Sequence, residues 1–527
     1  MLSYFVIVPI VIAVFLYLFP FERSARIVAV GLQSGLLVAA FYLFRLAQEG
    51  DVIVAIGSYY EVLGIILRAD ALSSVFILLT AFIFLIVTFY SLNEQKSRIF
   101  WFLLFIWEGA LIGIFLTADF FNVFVLTEVA TVVVTVLIMY RKSERSMYDG
   151  IIYFMINVVV MQFYLLGLGY LYRLVGVMDM EEAAVRLSLI NYYDSNAANL
   201  PYVLIMTFVA LKCALVPLFS WLPKAHSTPG ASSAASAVLS GLHIKSGVYL
   251  FLRVQATFSD IDAGTFFVVL GLITAAFGVT MALSQRDIKR ILAYSTIAQI
   301  GLIFVGLNTG SAYNFMGGLY HMINHALFKA ALFLSVGMIS YAYGTRNVNE
   351  IRGVLRRMPL VGVASIMAIL GMVGMPFFNG SISKYFLMHD VSLPLNVAMT
   401  VINLGTIMVF IKFSAMLFGG EKIERVRSSI WEVIPILVLG VACLVFGIFG
   451  GNLIEFLFGW EAQIDPAGYL EKSIVFAVSS VAGYFIFNYW LRYKPMLARI
   501  AEIDLGFRGM CAAMGVFVAA LLLVIGF

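Results

Sequence analysis

The chain has 527 residues, of which 62% are hydrophobic and only 12% are charged, and its formal net charge is +4. Soluble domains are about half apolar and about a quarter charged, so this composition excludes an ordinary soluble protein. A mean hydropathy of +1.01 and repeated apolar runs of about 18 residues or more predict a polytopic helical membrane protein.

Sixteen apolar segments are predicted to span the membrane. In chain order they are approximately 2–20, 25–46, 70–93, 99–118, 120–140, 150–174, 201–222, 231–252, 263–284, 291–308, 315–342, 359–387, 396–418, 430–457, 472–491 and 509–527. The first segment lacks a basic flank and a small-residue cleavage site, so we interpret it as a span rather than a signal peptide.

The distribution of basic residues predicts an orientation. If the amino terminus lies outside, most loop lysines and arginines fall in the loops that face inside, as the positive-inside rule requires. Both termini are then outside, and the outer loops carry only Arg45, Arg68, Arg173, Arg186, Arg253 and Lys472.

Four lysines interrupt the apolar spans, namely Lys212, Lys245, Lys329 and Lys384. A charge at the bilayer centre costs about 3 kcal/mol on insertion scales, so such residues usually face a partner or a water-filled pathway. Glu128 is the acidic counterpart in the first half of the chain. We interpret these charges as a relay for protons or other ions.

Glu128 and Lys212 are the expected ion pair of the first half. If the pair opens and closes, the affinity of the lysine for its proton changes, and a proton is taken up or released. The alternative is a static salt bridge, although an idle buried pair rarely stabilises more than apolar packing does. Glu108 is a second acid within a span, and we expect it to tune the same pair, to line an entry route, or to serve a packing or helix-contact role.

His321, His325 and Lys329 are spaced at i, i+4 and i+8. This spacing places them on one helix face over a rise of about 12 Å. Two histidines ahead of a lysine are suited to a proton wire with bridging waters. One alternative is a b-type haem, but haem ligation normally needs histidines on facing helices. The other alternative is a pair of hydrogen-bonded core histidines.

Three further residues are auxiliary candidates. His243 lies two positions from Lys245 and points in another direction, which is also typical of a core histidine. His226 lies within a helix break and is expected either to gate a half-channel or to cap backbone groups. Lys412 lies nearer the inner end of its span, where a lysine snorkels to the interface.

Two helix breaks are predicted, one in each half. Pro217 and Pro229 follow Lys212, and Pro376 precedes Lys384 among several glycines. Paired interrupted helices in a transporter indicate its pathway and often an inverted repeat. We therefore expect membrane helices at 1–98, a first repeat at 99–254, a second at 255–418 and further helices at 419–527.

Cofactor motifs are missing from the sequence. Its three cysteines, Cys213, Cys443 and Cys511, form no metal-binding or disulfide spacing, and no phosphate-binding glycine loop is found. We expect no metal, cofactor or redox site in this chain, and only ordered water in its channel.

Four motifs together resemble the antiporter-like subunits of respiratory complex I, of membrane-bound hydrogenases and of Mrp sodium/proton antiporters. They are RDIKRILAYSTIAQIG from Arg286, KCALVPLFSWLPKAH from Lys212, HMINHALFKAALFLSVG from His321 and GMPFFNGSISK ending at Lys384. The likeness covers roughly residues 70–420. Lys224 departs from the family pattern, which has an acid at that position.

The resemblance implies an all-α fold with a fourteen-helix core of two inverted five-helix repeats, within about 16 transmembrane helices in total. It implies a central hydrophilic axis made of Glu128, Lys212, Lys245, His321, His325, Lys329 and Lys384. We therefore expect a proton-translocating subunit in a prokaryotic cytoplasmic membrane, without a redox site of its own, which works as the pumping subunit of a translocase.

The expected partners are paralogous antiporter-like subunits, small hydrophobic subunits, lipids and a hydrophilic redox arm that carries iron–sulfur clusters or flavin. No nucleic acid is expected. The first alternative is a Mrp-type sodium/proton antiporter subunit driven by ion gradients. A non-pumping scaffold and a self-contained redox enzyme are further alternatives, which the buried charges and the missing cofactor motifs disfavour.

Overall fold

The structure is a computed structural model that describes residues 1–19, 22–57, 64–93, 97–194, 196–420, 425–426, 428–492, 494, 499–501 and 503–526. Its helices and strands are α1 Leu2–Leu18, α2 Glu22–Glu49, β1 Val52–Ile56, β2 Ile65–Ala69, α3 Ala71–Ser91, α4 Arg98–Leu116, α5 Phe120–Ile138, α6 Glu144–Val175, α7 Met180–Tyr193, α8 Asn199–Lys212, α9 Trp221–Ser227, α10 Ser233–Val238, α11 Ile244–Thr257, α12 Gly264–Ser284, α13 Ile288–Asn308, α14 Ala312–Tyr343, α15 Val354–Arg357, α16 Pro359–Val373, α17 Asn379–Leu387, α18 Leu393–Ser414, α19 Ile430–Ile448, α20 Gly450–Phe458, α21 Pro466–Phe485 and α22 Phe507–Ile525. Short π-helical segments join α10 to α11 (Leu239–His243) and extend α21 (Ile486–Leu491).

The membrane-spanning helices match the apolar runs of the sequence. Within the described ranges, 13 helices are long and apolar enough to cross a membrane, and three shorter apolar helices are α1, α8 and α16. Each predicted span overlaps one of these helices. The predicted end of the first span, residue 20, and that of the last span, residue 527, lie outside the described residues.

The structure differs from the prediction in the setting of the basic residues assigned to outer loops, although Arg68 and Arg186 do lie outside the candidate membrane spans. All six lie in regular elements: Arg45 in α2, Arg68 in β2, Arg173 in α6, Arg186 in α7, Arg253 in α11 and Lys472 in α21. Long side chains with polar heads are tolerated near helix ends. Helices can therefore extend beyond the apolar runs from which they are predicted.

The chain divides into two compact units. The first comprises residues 1–231, 242–263 and 505–527, and the second comprises residues 232–241 and 264–504. In the first unit α1 packs on α4, α2 on α3, and α6 on α8. In the second unit α12 packs on α13, α14 on α13 and α17, and α18 on α21.

Two elements of the first unit escaped the sequence analysis. An antiparallel hairpin pairs β1 with β2, from Val52 opposite Ala69 to Ile56 opposite Ile65. The helix α7 begins at the cap Asp179, whose side chain accepts hydrogen bonds from the amides of Glu181 and Glu182. Both elements are too short to give a spanning signal.

An ion pair ties the start of α3 to α11 in the first unit. Asp70 caps α3 by accepting from the Ser73 amide, and its Oδ2 accepts a 2.5 Å hydrogen bond from Arg253. Arg253 also donates to the Tyr249 hydroxyl at 2.8 Å. Burial alone would raise the pKa of the Asp70 carboxyl, but Arg253 and Ser73 outweigh it and hold that pKa below its ordinary value of 3.8.

We expect Asp70→Asn to lower the free energy of unfolding at neutral pH by about 1–3 kcal/mol, because it leaves Arg253 without its carboxylate. A lowered pKa stabilises the folded state above the ordinary value, and this stabilisation is lost as the pH falls below about 3.8. Thermal unfolding in detergent should therefore separate wild type from variant at neutral pH and show convergence in acid. The exposed pair of Arg186 with Glu182 supplies the control Glu182→Gln, for which little change is expected.

The two predicted helix breaks are present. In the first unit α8 ends at Lys212 and α9 begins at Trp221, whose indole nitrogen donates to the Leu211 carbonyl at 2.7 Å. In the second unit α16 ends at Val373, Gly374 adopts a left-handed φ of 85°, and α17 begins at Asn379.

Close packing of α17 on α16 depends on Gly380. A Cβ atom at this position would lie 1.8 Å from the Gly371 carbonyl oxygen. We expect Gly380→Ala to cost about 1–3 kcal/mol or more, because a backbone atom has to move. The unfolding midpoint in detergent measures this loss. Gly169→Ala in α6 is the control, since a Cβ there meets nothing within 4 Å, and an equal midpoint for both variants would contradict the prediction.

Candidate functional site

Lys212 ends α8 inside the first unit, with only 4% of the residue exposed. Its ammonium donates to Thr131 Oγ1 at 2.9 Å and to Asn157 Oδ1 at 2.7 Å. Both partners are oriented in advance by their own helices, since the Thr131 hydroxyl donates to the Thr127 carbonyl and the Asn157 amide donates to the Tyr153 carbonyl. The site therefore presents fixed neutral acceptors to a buried cation.

Glu128 lies on α5, three residues before Thr131, so both side chains lie on one helix face. The carboxylate is half-buried and close enough to Lys212 for their charges to interact. In the part of the chain that the structure describes, no ion-pair contact joins them. The structure therefore shows the predicted pair separated, with Thr131 and Asn157 holding the ammonium.

Lys245 and His243 flank the start of α11, and both are buried. The Trp107 indole donates to His243 Nδ1 at 3.4 Å, and the His243 ring also packs edge-on against Trp221. Two residues later in the helix, a Cβ on Gly247 would lie 2.9 Å from the Lys212 carbonyl carbon. The glycine therefore allows α11 to approach the end of α8, where Lys212 lies.

The remaining first-unit candidates lie on elements other than α8 and α11. Glu108 is buried in α4 and accepts a 2.5 Å hydrogen bond from Gln33 of α2. His226 is buried in α9, Pro217 lies between α8 and α9, and Pro229 follows α9. Lys224, the departure from the family pattern, donates to the Leu505 carbonyl at 2.9 Å.

His321 is the best-connected histidine of the second unit. Its Nε2 lies 2.9 Å from Gln299 Oε1, and its Nδ1 lies 2.8 Å from the Ser383 hydroxyl. Because the amide oxygen only accepts, Nε2 carries the hydrogen, and Nδ1 of a neutral ring accepts from Ser383. When Nδ1 is protonated, the serine can turn its hydroxyl to the Gly380 carbonyl at 3.3 Å. Both charge states of the ring therefore keep two hydrogen bonds.

Lys329 and His325 lie on the same helix as His321 and are fully buried. The ring centroids of His321 and His325 are 6.4 Å apart. The Lys329 ammonium donates to the Leu292 carbonyl at 2.8 Å and to the Ser295 hydroxyl at 2.5 Å. One face of α14 therefore carries all three groups, as the spacing predicted, with α13 supplying acceptors to two of them.

Lys384 lies on α17 just after the second break and is 8% exposed. Its ammonium donates to the Met372 carbonyl at 2.8 Å and to Asn403 Oδ1 at 2.7 Å. The Met372 carbonyl is among those that the end of α16 leaves without an intrahelical donor. Ser383, the partner of His321, precedes Lys384 in the chain, so the short helix α17 carries both the lysine and a hydrogen-bond partner of the histidine on α14.

Lys412 has a different environment. Its ammonium donates to the Leu283 carbonyl at 2.7 Å and to the Gln285 carbonyl. Leu283 lies in the last turn of α12 and Gln285 directly follows the helix, so the lysine caps its carboxyl end. The contact favours a structural role.

Neutral polar residues complete the site, and reasoning from charges missed them. They are Thr131, Asn157, Ser295, Gln299, Ser383 and Asn403. One signal was present, because Thr127, Thr131 and Thr135 repeat at i, i+4 and i+8 along a mostly apolar span.

No group of three or more histidine, cysteine, aspartate or glutamate side chains is placed to hold a metal ion among the described residues. The cysteines Cys213 and Cys443 are buried and Cys511 is half-buried, and all three are free thiols. What the arrangement offers chemically is a set of buried proton-binding groups, of which Lys212, His321, Lys329 and Lys384 are held by neutral acceptors.

Comparison with known proteins gives consistent matches. The family described as "NADH:quinone oxidoreductase/Mrp antiporter, TM" matches residues 117–417. A Na(+)/H(+) antiporter subunit of Alkalihalophilus pseudofirmus is 28% identical, over 89% of this chain and 98% of that protein. A NADH-quinone oxidoreductase subunit of Desulforudis audaxviator is 32% identical, over 76% of this chain and 85% of that protein.

A solved structure shares the fold. A chain of the Mrp complex from Dietzia sp. DQ12-45-1b aligns with a TM-score of 0.81 and 23% identity, over 90% of this chain and 99% of that chain. The predicted helical membrane fold and the predicted family are both confirmed. The chain therefore belongs to the NADH:quinone oxidoreductase/Mrp antiporter transmembrane family.

Proposed function

We propose that this chain is a proton-translocating, antiporter-like subunit of a multisubunit membrane complex. The observation that carries the proposal is Lys384, a buried ammonium held at a helix break by one backbone carbonyl and one amide oxygen. A charge in a membrane span without a carboxylate partner is costly, so such a residue is usually retained for ion movement.

Each unit contributes one part of the proposed relay. In the first, Glu128 and Lys212 modulate the charge of Lys245. In the second, His321, His325 and Lys329 pass protons towards Lys384, which acts as the terminal group. Ordered water connects the side chains, and the helix breaks after Lys212 and before Lys384 open half-channels. We assign these parts to inverted repeats at 99–254 and 255–418.

The driving force comes from a partner. A redox arm with iron–sulfur clusters or flavin would supply it in a complex of the oxidoreductase type, and the relative named as a NADH-quinone oxidoreductase subunit supports this assignment. Neighbouring membrane subunits would be paralogous antiporter-like chains and small hydrophobic chains. We place the protein in a prokaryotic cytoplasmic membrane with both termini outside.

The second candidate is a Mrp-type subunit that exchanges sodium for protons. Its support is the relative named as a Na(+)/H(+) antiporter subunit, which aligns over most of both chains. In that case an opposing ion gradient replaces the redox reaction, while the same lysines and histidines carry protons.

Purification from the native membrane tests both candidates. The complex is isolated gently, its subunits are identified, and it is reconstituted in vesicles that report internal pH. Copurifying iron–sulfur subunits and substrate-driven proton uptake support the redox assignment, whereas small hydrophobic partners and sodium-dependent proton flux support the antiporter. Tight vesicles that contain the intact complex and show no proton flux under either driving force would contradict the proposed function.

A further inference from the structure

A small cavity of about 50 Å³ lies beside Lys384 in the second unit. One wall is α17 and the helix break, with Gly374 and Lys384, and another is α18, with Thr400 and Asn403. A cavity of this size has room for about three waters, which need polar partners. The lysine and its acceptor Asn403 therefore border a space suited to water.

The helix α21 forms the remaining wall of this cavity and lies outside the matched residues 117–417. It contributes Tyr469, Lys472, Ser473 and Ser479, among others. The cavity-lining residues of α21 include positions i, i+1, i+4 and i+7 counted from Lys472, which is the spacing of one helix face. Further along α21, Gly483 packs against Leu404 of α18.

Tyr469 fixes α21 to the helix break. Its hydroxyl accepts a hydrogen bond from the Phe377 amide at 3.1 Å and lies 2.8 Å from the Ser381 hydroxyl. Phe377 has a φ of 70°, in the left-handed region that non-glycine residues rarely adopt. The tyrosine thus supports the strained backbone that positions Lys384.

Two amines of different exposure therefore share one cavity. Lys384 is buried, whereas Lys472 is half-buried on the second turn of α21. Because a lysine ammonium can release its proton and is hydrated readily, the more exposed amine is suited to exchange protons with bulk water.

We propose that α21 forms the wall of a water-filled exit from Lys384, and that Lys472 is the group at which protons pass between this exit and bulk water. Only N–H and O–H bonds to the transferred protons change in the step: the Lys472 ammonium releases a proton to bulk water, and its amine then takes up the proton that Lys384 gives to cavity water. The inference rests on the proposed proton transport through Lys384.

Cysteine labelling tests the water-filled wall without measuring transport. Ser473→Cys and Ile474→Cys are neighbours at one depth, but Ser473 lines the cavity and Ile474 is exposed on the outer surface of the helix. In a Cys511→Ser background, a membrane-impermeant anionic methanethiosulfonate should label Ser473→Cys roughly tenfold faster, because only a hydrated thiol ionises readily. Equal labelling rates would overturn the exit.

Transport by the intact complex tests Lys472 itself. Lys472→Met should slow proton transport at least about tenfold, and Lys472→Arg should not restore it, because arginine does not release its proton. Rescue by arginine, or normal transport by the methionine variant, would overturn the assignment. Lys384→Ala separates the two proposals. If both Lys384→Ala and Lys472→Met transport protons normally, the proposed function fails. If Lys384→Ala is inactive but Lys472→Met transports normally, only this inference fails. Recovery of assembled complex checks folding.

Discussion

Lys384→Ala is expected to abolish proton transport while the complex still assembles. The alanine removes the proton-binding group held at the second break, and general acid–base groups typically contribute about 10²- to 10⁴-fold. Lys384 and Asn403 both line the cavity, so water can enter the vacated space and donate hydrogen bonds to the two former acceptors of the lysine, Asn403 and the Met372 carbonyl. The rate of proton uptake into vesicles that contain purified complex measures the effect.

The matched control for this experiment is Lys412→Ala. Lys412 is also a lysine in a membrane span, but it caps backbone carbonyls at the carboxyl end of α12. We expect its loss to affect stability more than transport. Full transport by Lys384→Ala, or equal loss of transport in both variants at equal assembly, would contradict the assigned role.

Lys212→Ala is expected to stop transport as well, with the complex recovered in normal amounts. Its ammonium is the charged group held by Thr131 and Asn157, and without it Glu128 has no partner through which to modulate the relay. Asn157→Ala should have a milder effect, since Thr131 still accepts from the lysine. Proton uptake rates of the three proteins, normalised to assembled complex, test this order.

Lys224→Ala serves as the control for Lys212. It lies in the adjacent short helix α9 and donates to the Leu505 carbonyl. We expect transport near the wild-type rate. If Lys212→Ala transports normally while Lys224→Ala does not, the pathway follows the helix break rather than the buried ammonium.

Several features were predictable because they depend on local composition. The spans follow from apolar runs, and the two breaks follow from Pro217 and Pro376 beside the lysines. The alignment of His321, His325 and Lys329 follows from helical periodicity alone. Each of these features needs only a few neighbouring residues.

Other features depend on contacts between distant segments. Asn157 and Lys212 are 55 residues apart in the sequence, and nothing in the sequence indicates that they form a 2.7 Å hydrogen bond. The separation of Glu128 from Lys212 by neutral acceptors was equally hidden. Lys472 was assigned to an outer loop because its helix begins before the apolar run, and only packing against α18 shows that it borders a cavity.

The bond between Lys384 and the Met372 carbonyl has a mechanical consequence. An ammonium donates a stronger hydrogen bond than a neutral amine, so the end of α16 is bound more tightly when the lysine carries its proton. Because linkage is reciprocal, any movement that draws this carbonyl away also weakens the hold on the proton. In the proposed relay, displacement of this helix end and release of the proton from Lys384 would therefore be coupled.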